Sequence, residues 1–557
     1  MSVERIQIES RLILRSPFLF PGTGAARFGL DIAAARGIDD HPLIPAEQVR
    51  GVLSHALRDM LEEGVGQLSV GWLDDLFGQA SSDLQDPLAS NEPRRGRLIF
   101  GDLRAETCPE ADIAHRVAID AETGAARKGA LVTAELVAAP GAELAFAGSI
   151  IVFATKPQAE ALCGQLCAAA SRVSAIGAMK SAGFGEVISW SFVPRPGRSL
   201  AVPRCDPPTE RVALVVTIDR PFLVDAERVA DNVYVGSPVI PGAAIKGAFA
   251  RKLALGGSDV AADDALSALG ISHARPEGWP DRVVPLSVVA HGKRFGDALG
   301  NPAVMIEGKA ALFRPDWKES HWQQLGARHG LRRAPPIGRV ERAHVGIERG
   351  GATARDEALF FTQAVEPSGR TWRVEVDFGA VPPSERGRLY APLIDGLDGV
   401  GATGARLDFR EAGAAVQDPP VRPRADGLLA VTIETEAVLA TPDDGPTAIE
   451  AYSAYWKRVL GAELVDFCAE QALRGGYLGM RFRREGAGYR PFLVTLAGSV
   501  FLLRGASSEA VAALVRRGLP PPVIGGAPTD WRTCPYQPEN GWGRIRADWQ
   551  GLDEEAN

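Results

Sequence analysis

The chain has 557 residues, of which 46% are hydrophobic and 23% charged, the composition of a folded globular protein with several domains. The net charge of −8 argues against an independent, non-specific nucleic-acid-binding protein, because such proteins are usually basic. Six cysteines without a C-x-x-C pair argue against a disulfide framework or a zinc ribbon. The charged start "MSVERIQIES" and the lack of a long apolar run predict a cytoplasmic protein without signal peptide or membrane span.

The first predicted element is a strand in "VERIQIESRLILRSPFLF", where alternating apolar residues from Ile6 to Leu14 share one side. After a Gly-rich loop, the stretch "PLIPAEQVRGVL" places Pro45 before a pattern of helical spacing. Proline is tolerated in a first helical turn, so this stretch predicts a rigid turn that starts an amphipathic helix. Arg50 falls outside the apolar face of that helix.

The elements that follow complete a two-layer domain. A strand is predicted over Arg95–Leu103 and a long hairpin over His115–Leu136, with Gly124 in its turn. A further strand, the helix of "PQAEALCGQLCAAASRV" and a Gly-rich loop around Gly183 that leads into a last strand end the segment. This order predicts an α+β fold of the ferredoxin-like kind, with helices on one face of an antiparallel sheet.

The same plan then starts again. "PVIPGAAIKGAF" repeats the proline stretch, so that Pro241, Lys246 and Gly247 match Pro45, Arg50 and Gly51 at one constant offset. "HVGIERGGATARDEALFF" repeats the first hairpin at a larger offset, which predicts an insertion within 274–336. The sequence therefore predicts two copies of one domain.

Pro-rich linkers divide the chain. The predicted boundaries are a first domain over 1–192, a linker over 193–210, a second domain over 211–415, a linker over 416–426 and a third domain over 427–557. The third segment lacks the proline stretch, and it is expected to be a partial or diverged copy.

These motifs resemble the RAMP superfamily, whose members build CRISPR effector complexes. "PLIPAEQVRG" and "PVIPGAAIKGA" are similar to its Ile-Pro-Gly helix start, and "RLIFGDL", "AIDAETGAARKGAL" and "GFGEV" follow in the order of type III backbone subunits. "GSVFLL" followed by "GWGRI" is similar to the end of the subunit that caps the 5′ tag of the guide. The first copy departs from the pattern with Ala46 in place of a glycine.

The resemblance implies tandem RRM-like RAMP domains in a fused backbone subunit of a type III CRISPR effector. Its expected partners are a guide RNA, a complementary target RNA and other effector subunits, without a membrane. The expected function is guide binding in antiviral defence, with endoribonuclease cleavage of the paired target RNA as a possible activity.

The predicted RNA contacts are basic residues, glycines and aromatic residues next to the turns. Glycines let a backbone approach phosphate closely, basic side chains pair with phosphates, and aromatic rings stack on bases. Each type of residue also has a purely structural explanation: the glycines could form ordinary turns, the basic residues could lie on solvated helix faces, and the aromatic rings could be buried. The predicted contacts are Arg50, Lys246, Lys180, Gly183, Phe184, Gly185, Gly541, Trp542 and Gly543.

The resemblance also implies a catalytic aspartate in the loop before the proline-led helix. Asp31 is the best placed, Asp39 and Asp40 are near alternatives, and Asp231 is the expected counterpart in the second copy. Such an aspartate would hold Mg²⁺ or another divalent ion, and a non-catalytic chain would need no cofactor. The alternative is a loop aspartate that forms an Asx turn.

Three other interpretations stay open at this point. The chain could be a non-catalytic scaffold of the same complex. It could process guide precursors through His115 or His344 as a general base, although a lone histidine is more often structural. An unrelated enzyme is disfavoured because the sequence contains no Walker loop, no H-E-x-x-H and no G-x-S-x-G.

Overall fold

The structure is a computed structural model of the chain. It describes residues 2–22, 30–66, 68–79, 94–260, 263–280, 282–291, 294–300, 305–306, 309–310, 326, 328, 330–331, 334–347, 354–413, 416–441, 447–475, 491–523 and 533–555.

The first domain is an antiparallel sheet with two long helices on one face. Its main strands lie in the order β10-β1-β9-β6, the arrangement of a ferredoxin-like fold. The elements are β1 Glu4–Arg15, β2 Leu43–Ile44, α1 Ala46–Glu62, α2 Val70–Phe77, β3 Gly78–Gln79, β4 Arg94–Arg95, β5 Leu98–Phe100, β6 Leu103–Ala105, β7 Asp112–Ile119, β8 Ala126–Leu136, β9 Glu143–Ala154, α3 Lys156–Ala170, β10 Glu186–Pro194 and β11 Arg198–Ser199.

The alternation predicted for the first strand is confirmed, because Ile6, Ile8, Leu12 and Leu14 are at most 2% exposed. They pack against the buried stripe of α1, which begins directly after Pro45. Each such side chain contributes about 1.5–3 kcal/mol when fully buried. The prediction of one strand over 95–103 is wrong: the run divides into β4, β5 and β6, so that it can reach both β3 and β9.

The second domain repeats this plan, with the sheet order β15-β23-β12-β25. Short strands of the predicted insertion lie between β16 and β21. The elements are β12 Arg211–Ile218, β13 Glu227–Ala230, β14 Val233–Val235, α4 Gly242–Leu255, α5 Asp264–Ala268, β15 Gly270–Ile271, β16 Arg275–Pro276, β17 Val288–His291, β18 Arg294–Asp297, β19 Met305–Ile306, β20 Lys309–Ala310, β21 Arg339–Ile347, β22 Ala354–Val365, β23 Trp372–Asp377, α6 Pro383–Ile394, β24 Leu397–Val400 and β25 Ala405–Glu411.

The third domain has the same sheet order, β27-β30-β26-β31. All four core strands are present, so its sheet is a complete copy and not the partial one that the sequence allowed. The elements are β26 Leu429–Ile433, α7 Ala448–Leu460, β27 Glu463–Cys468, β28 Gln471–Arg474, β29 Phe492–Thr495, β30 Val500–Arg504, α8 Ser508–Arg517, β31 Ile545–Arg546 and β32 Asp553–Glu555.

One main-chain contact shows how closely the first two domains correspond. The Ala178 N–H donates to the Leu19 carbonyl oxygen at 2.8 Å, and the Ala402 N–H donates to the Leu223 carbonyl oxygen at 2.8 Å. In both domains a glycine precedes the donor, with a positive φ and no room for a Cβ beside the acceptor. The second Gly-rich loop is thus the equivalent of the first, although the sequence matched it only loosely.

Candidate nucleic-acid interface

The two proline-led helices begin in the same way. Pro45 and Pro241 both have φ −58° and ψ 139°, and the first helical N–H of each helix needs an acceptor. In the first domain Asp102 Oδ1 accepts from that N–H at 2.8 Å, and in the second His273 Nδ1 accepts at 3.1 Å. Asp102 and His273 therefore occupy equivalent positions, a match that their different side chains hid in the sequence.

Of the three basic residues predicted to contact RNA, Arg50 and Lys246 donate to main-chain carbonyl oxygens, whereas Lys180 is exposed on the closing loop of the first domain. Arg50 Nη2 donates to the Phe77 carbonyl oxygen at 2.6 Å, at the end of α2. Lys246 Nζ donates to the carbonyl oxygens of Ser267 and Leu269 at 2.9 and 2.8 Å, at the end of α5. Burial lowers the pKa of Lys246 to about 8. These side chains satisfy the free carbonyls of the following helix, and their contact with RNA stays a prediction.

The predicted hairpins are the most closely matched feature of the two domains. Val117 of β7 lies opposite Leu131 of β8, and Val345 of β21 lies opposite Leu359 of β22. These four aliphatic side chains are between 46% and 61% exposed. Both hairpins shift register directly after the valine, and then resume with the pairs Ile119–Ala126 and Ile347–Ala354. The tip of the second hairpin, including Glu348, lies outside the described residues.

Asp31 lies at the base of the first hairpin. Its Oδ2 accepts hydrogen bonds from the main-chain N–H of Thr133 at 2.6 Å and from the Thr133 hydroxyl at 2.9 Å. These bonds, first the main-chain one and then the hydroxyl one, lower the pKa of Asp31. The Asp31 carboxylate is exposed, and its hydrogen bonds favour the charged form and fix its orientation. An acidic group that contacts a bound substrate needs these properties.

A second contact two residues along β8 anchors the loop that carries Asp31. Glu135 is 2% exposed. Its Oε2 accepts from the Ala34 N–H at 2.9 Å, and its Oε1 pairs with Arg36 Nη2 at 2.5 Å. Thr133 and Glu135 share one side of the strand, so the hairpin holds the loop at two points.

The register of the hairpins also fixes which residues of the two loops correspond. Ile32 forms a parallel bridge with Ala134 in the first domain, and Tyr234 pairs in parallel with Thr362 in the second. Ala134 and Thr362 are equivalent, because each lies three residues after the exposed leucine of its hairpin. Ile32 and Tyr234 therefore occupy the same place.

Asp231 is not in the place of Asp31. The residue before Tyr234 is Val233, which occupies the position equivalent to Asp31. The loop of the second copy is shorter and folds into β13 and β14, so Asp231 lies in their turn. Its carboxylate is fully exposed and lies 3.5 Å from Arg228. The expected correspondence between the two aspartates is therefore wrong.

The near alternatives to Asp31 have structural partners. Asp39 pairs with Arg104, and Asp40 lies beside Arg36 with a positive φ of 62°. The sequence could not separate these three aspartates, because only the contacts with β8 distinguish Asp31.

The donor chemistry of Asp31 suits a hard divalent ion such as Mg²⁺, which is often held by one or two carboxylates together with water and phosphate oxygens. Within the described part of the chain, His, Cys, Asp and Glu side chains do not form a group of three or more that could hold a metal. A divalent ion at Asp31 would therefore need the phosphate of a bound RNA to complete its ligands.

The closing Gly-rich loops of the first and third domains have identical hydrogen bonding. A 3-10 turn, Lys180–Ala182 or Pro538–Asn540, leads into Gly183–Gly185 or Gly541–Gly543. All four glycines have positive φ values between 68° and 88°. The second glycine of each loop donates its N–H to the carbonyl oxygen of Pro17 or Glu436.

The rings inside these loops point into the protein. Phe184 is 8% exposed and packs with Leu19 and Leu136. Trp542 is 8% exposed and packs edge-to-face with Tyr536 and His273. These positions argue against the predicted base stacking, because a buried ring face offers no platform to a base.

The histidines offered as a general base lie on the hairpins. His344 Nε2 is 2.9 Å from the Thr362 hydroxyl oxygen, and its ring stacks on Phe360 at 4.7 Å. Burial is the main cause that lowers the pKa of His344. His115 is exposed on β7 opposite Thr133. The two histidines are not equivalent, because Ala343 is the residue opposite Phe361 in the second hairpin.

Residues 11–188 match the family model described as the RAMP superfamily. Over these residues the first domain is similar to the RAMP superfamily. This match covers nearly the whole of the first α+β domain and confirms the resemblance and the fold class predicted from its motifs. Among the described residues, no helix is both long and apolar enough to cross a membrane.

One similar solved chain comes from the "Cryo-EM structure of the Type III-B Cmr-beta bound to cognate target RNA". It is 15% identical to this chain with a TM-score of 0.24, and the alignment covers 34% of this chain and 61% of that chain. This chain therefore spans about three fifths of the length of that chain. No curated protein matches the chain.

Proposed function

We propose that this chain is a guide-RNA-binding subunit of a type III CRISPR ribonucleoprotein, and that its first domain cleaves complementary target RNA. The observation that carries the proposal is the pair of register-matched hairpins. Each presents an exposed aliphatic pair, Val117 with Leu131 and Val345 with Leu359, beside a proline-led helix of a RAMP-like domain.

The two hairpins expose aliphatic pairs at equivalent positions. Contiguous apolar side chains on a protein surface can mark a binding site. Between the bases of a guide–target duplex they would act as wedges, because apolar side chains can part stacked base steps. Base pairing with the guide would supply the sequence specificity, and the protein would contact backbone and shape.

Asp31 is the residue to which we assign cleavage. A target nucleotide flipped at the first hairpin would place its 2′-oxygen in line with the adjacent phosphate. The 2′-O–P bond forms, the P–O5′ bond breaks, and the products are a 2′,3′-cyclic phosphate and a 5′-hydroxyl end. Bound at Asp31, Mg²⁺ would stabilise the charge that develops on the phosphate.

The second candidate function is a non-catalytic scaffold, in which Asp31 only fixes its loop to β8 through Thr133. Guide processing by histidine needs an accessible base. His344 is stacked on Phe360 and bonded to Thr362, so a processing role would fall to the exposed His115. The scaffold and the nuclease differ only in the role of Asp31. Both functions require the hairpins to bind RNA.

The hairpins are tested by charge substitution in the assembled complex. Val117→Asp and Val345→Asp should each weaken binding of complementary target RNA by roughly 10-fold, the loss of a stacking contact of about 1–3 kcal/mol, while guide RNA is retained. Val193→Asp is the matched control, because Val193 is 52% exposed and lies outside the hairpins. Equal target affinity in all three variants would contradict the proposal.

A further inference from the structure

One face of the first hairpin carries its polar side chains in a fixed order. Residues that lie opposite each other in an antiparallel pair point to the same face, and so do residues two apart along one strand. His115 of β7 lies opposite Thr133 of β8. Val117 and Leu131, which we call the wedge pair, follow on this face towards the tip, and Glu135 follows towards the base. His115 and Thr133 therefore lie between the wedge pair and the anchored base of the hairpin.

His115 and Asp31 lie on either side of Thr133. β8 has β7 along one edge, and the loop that carries Asp31 runs along its other edge, where Ile32 bridges Ala134. Asp31 Oδ2 is 2.9 Å from the Thr133 hydroxyl oxygen. Side chains that lie opposite each other on paired strands have Cβ atoms about 5 Å apart. An exposed imidazole and an exposed carboxylate thus flank one threonine, where both can reach the same phosphodiester.

The cleavage step assigned to Asp31 also needs a group that accepts a proton. The 2′-hydroxyl of the target loses its proton as its oxygen attacks the phosphate, and a side chain placed to accept that proton lowers the barrier. The Asp31 carboxylate is already bonded to the main-chain N–H and the hydroxyl of Thr133. A neutral imidazole has one nitrogen that can accept a proton, and histidine is the side chain most often used in this way.

The second copy of the domain lacks all of these polar groups and keeps the wedge. Its hairpin carries the exposed pair Val345 and Leu359 at the positions of the first wedge pair. Four polar residues around the site of the first copy are replaced: Asp31 by Val233, His115 by Ala343, Thr133 by Phe361 and Glu135 by Gln363. The imidazole and the carboxylate are therefore present together in one copy and absent together from the other.

A purely structural role does not account for His115. The loop that carries Asp31 is held by Thr133 and Glu135 of β8, whereas His115 lies on the other strand of the hairpin. The second hairpin has Ala343 at this position and still forms the same register, including the shift directly after its wedge valine. Neither the loop nor the hairpin requires an imidazole there.

We propose that His115 is a second catalytic residue of the first domain and accepts the proton of the attacking 2′-hydroxyl of the target RNA. This inference rests on the proposed function, because it concerns the same cleavage step. The proton passes from the 2′-oxygen to the imidazole as the 2′-O–P bond forms. The P–O5′ bond then breaks, the 5′-oxygen takes a proton from water, and the imidazolium returns its proton to the solvent.

The test measures single-turnover cleavage of a labelled complementary RNA by the assembled complex with Mg²⁺. His115→Gln keeps a side chain that can hydrogen-bond but cannot act as the base, so its rate constant should fall by roughly 100-fold with target affinity unchanged. Arg116→Gln is the matched control, because Arg116 is exposed on the opposite face of the same strand, and it should cleave as wild type. Added imidazole should restore part of the rate of His115→Ala and none of the rate of Asp31→Asn.

The outcomes separate this inference from the function on which it rests. If Asp31→Asn abolishes a product while His115→Gln cleaves at the wild-type rate, the inference is wrong and the proposed function stands. A His115→Ala rate that imidazole does not restore would also overturn the inference, because it would mean that His115 only positions the RNA. Loss of guide maturation with normal target cleavage would assign His115 to processing instead. A wild-type complex that leaves the target intact would contradict the proposed cleavage and this inference together.

Discussion

Arg50 and Lys246 occupy matched positions in two repeats, and the structure gives each side chain a partner within the protein. The sequence places both one turn into a proline-led helix, where a phosphate contact is a natural expectation. In the structure each side chain ends on main-chain carbonyls at the end of the next helix. Desolvation lowers the pKa of both groups, because each charged end lies against carbonyl oxygens of the protein.

These contacts lead to a prediction that separates the two roles. Arg50→Met or Lys246→Met should lower the free energy of unfolding by about 1–3 kcal/mol, because the carbonyls lose a charged donor. RNA affinity should stay unchanged at fixed salt. Denaturant unfolding and a filter-binding assay measure the two effects. A variant with native stability and weakened RNA binding would show that the side chain contacts phosphate.

Thr133 orients the Asp31 carboxylate through two hydrogen bonds. These bonds predict how the pH dependence of cleavage should respond to substitution of Thr133. Thr133→Val removes the hydroxyl bond but keeps the main-chain bond, so the pKa of Asp31 should rise towards its ordinary value. The acidic side of the pH–rate profile for target cleavage should then move to higher pH. Thr133→Ser keeps the hydroxyl and should behave as wild type. Identical profiles for the valine and serine variants would contradict this role.

At the level of elements, the sequence was informative wherever a pattern repeats. The alternation in β1, the helix after Pro45 and both hairpins follow from periodicity and turn residues alone. The place of Asp231 could not be predicted, because the loops differ in length and only the parallel pairing of β14 with β22 defines the correspondence. The equivalence of Asp102 and His273 could not be predicted either. Both side chains accept a hydrogen bond from the first N–H of a proline-led helix, but one is a carboxylate and the other an imidazole.

At the level of the whole molecule, three sheets share one strand order. The sequence predicted the first two domains and an insertion, but not that the insertion covers the third sheet. Nothing local in residues 284–300 predicts this covering, because their partners on β26 and β30 lie far along the chain. The closing motif of the third domain was recognisable because its Gly-aromatic-Gly spacing equals that of the first.

Glu434, which directly follows β26, predicts how the stability of the fold depends on pH. Burial raises its pKa to about 7, against the nearby Arg275 and Arg546. A raised folded-state pKa means that the folded chain binds the proton more tightly than the unfolded chain. The contribution of Glu434 to stability is therefore greatest below its unfolded pKa and is lost as pH rises through about 7.

Glu434→Gln removes this titration. Between pH 4 and pH 8 the variant should gain stability relative to wild type, on the order of 3 kcal/mol for a shift of that size. Thermal unfolding of both proteins across this range measures the difference. A constant difference between the two curves would show that Glu434 does not titrate between the folded and unfolded states in this way.

The most direct test of the account is cleavage of a labelled complementary RNA by the assembled complex with Mg²⁺, comparing wild type, Asp31→Asn and Asp231→Asn. Asp31→Asn is expected to lose one discrete, metal-dependent product with guide and target binding intact, and Asp231→Asn is expected to keep every product. An unchanged product pattern with Asp31→Asn would make the chain a scaffold. Loss of a product with Asp231→Asn would show that the second domain cleaves, against the register that places Val233 there.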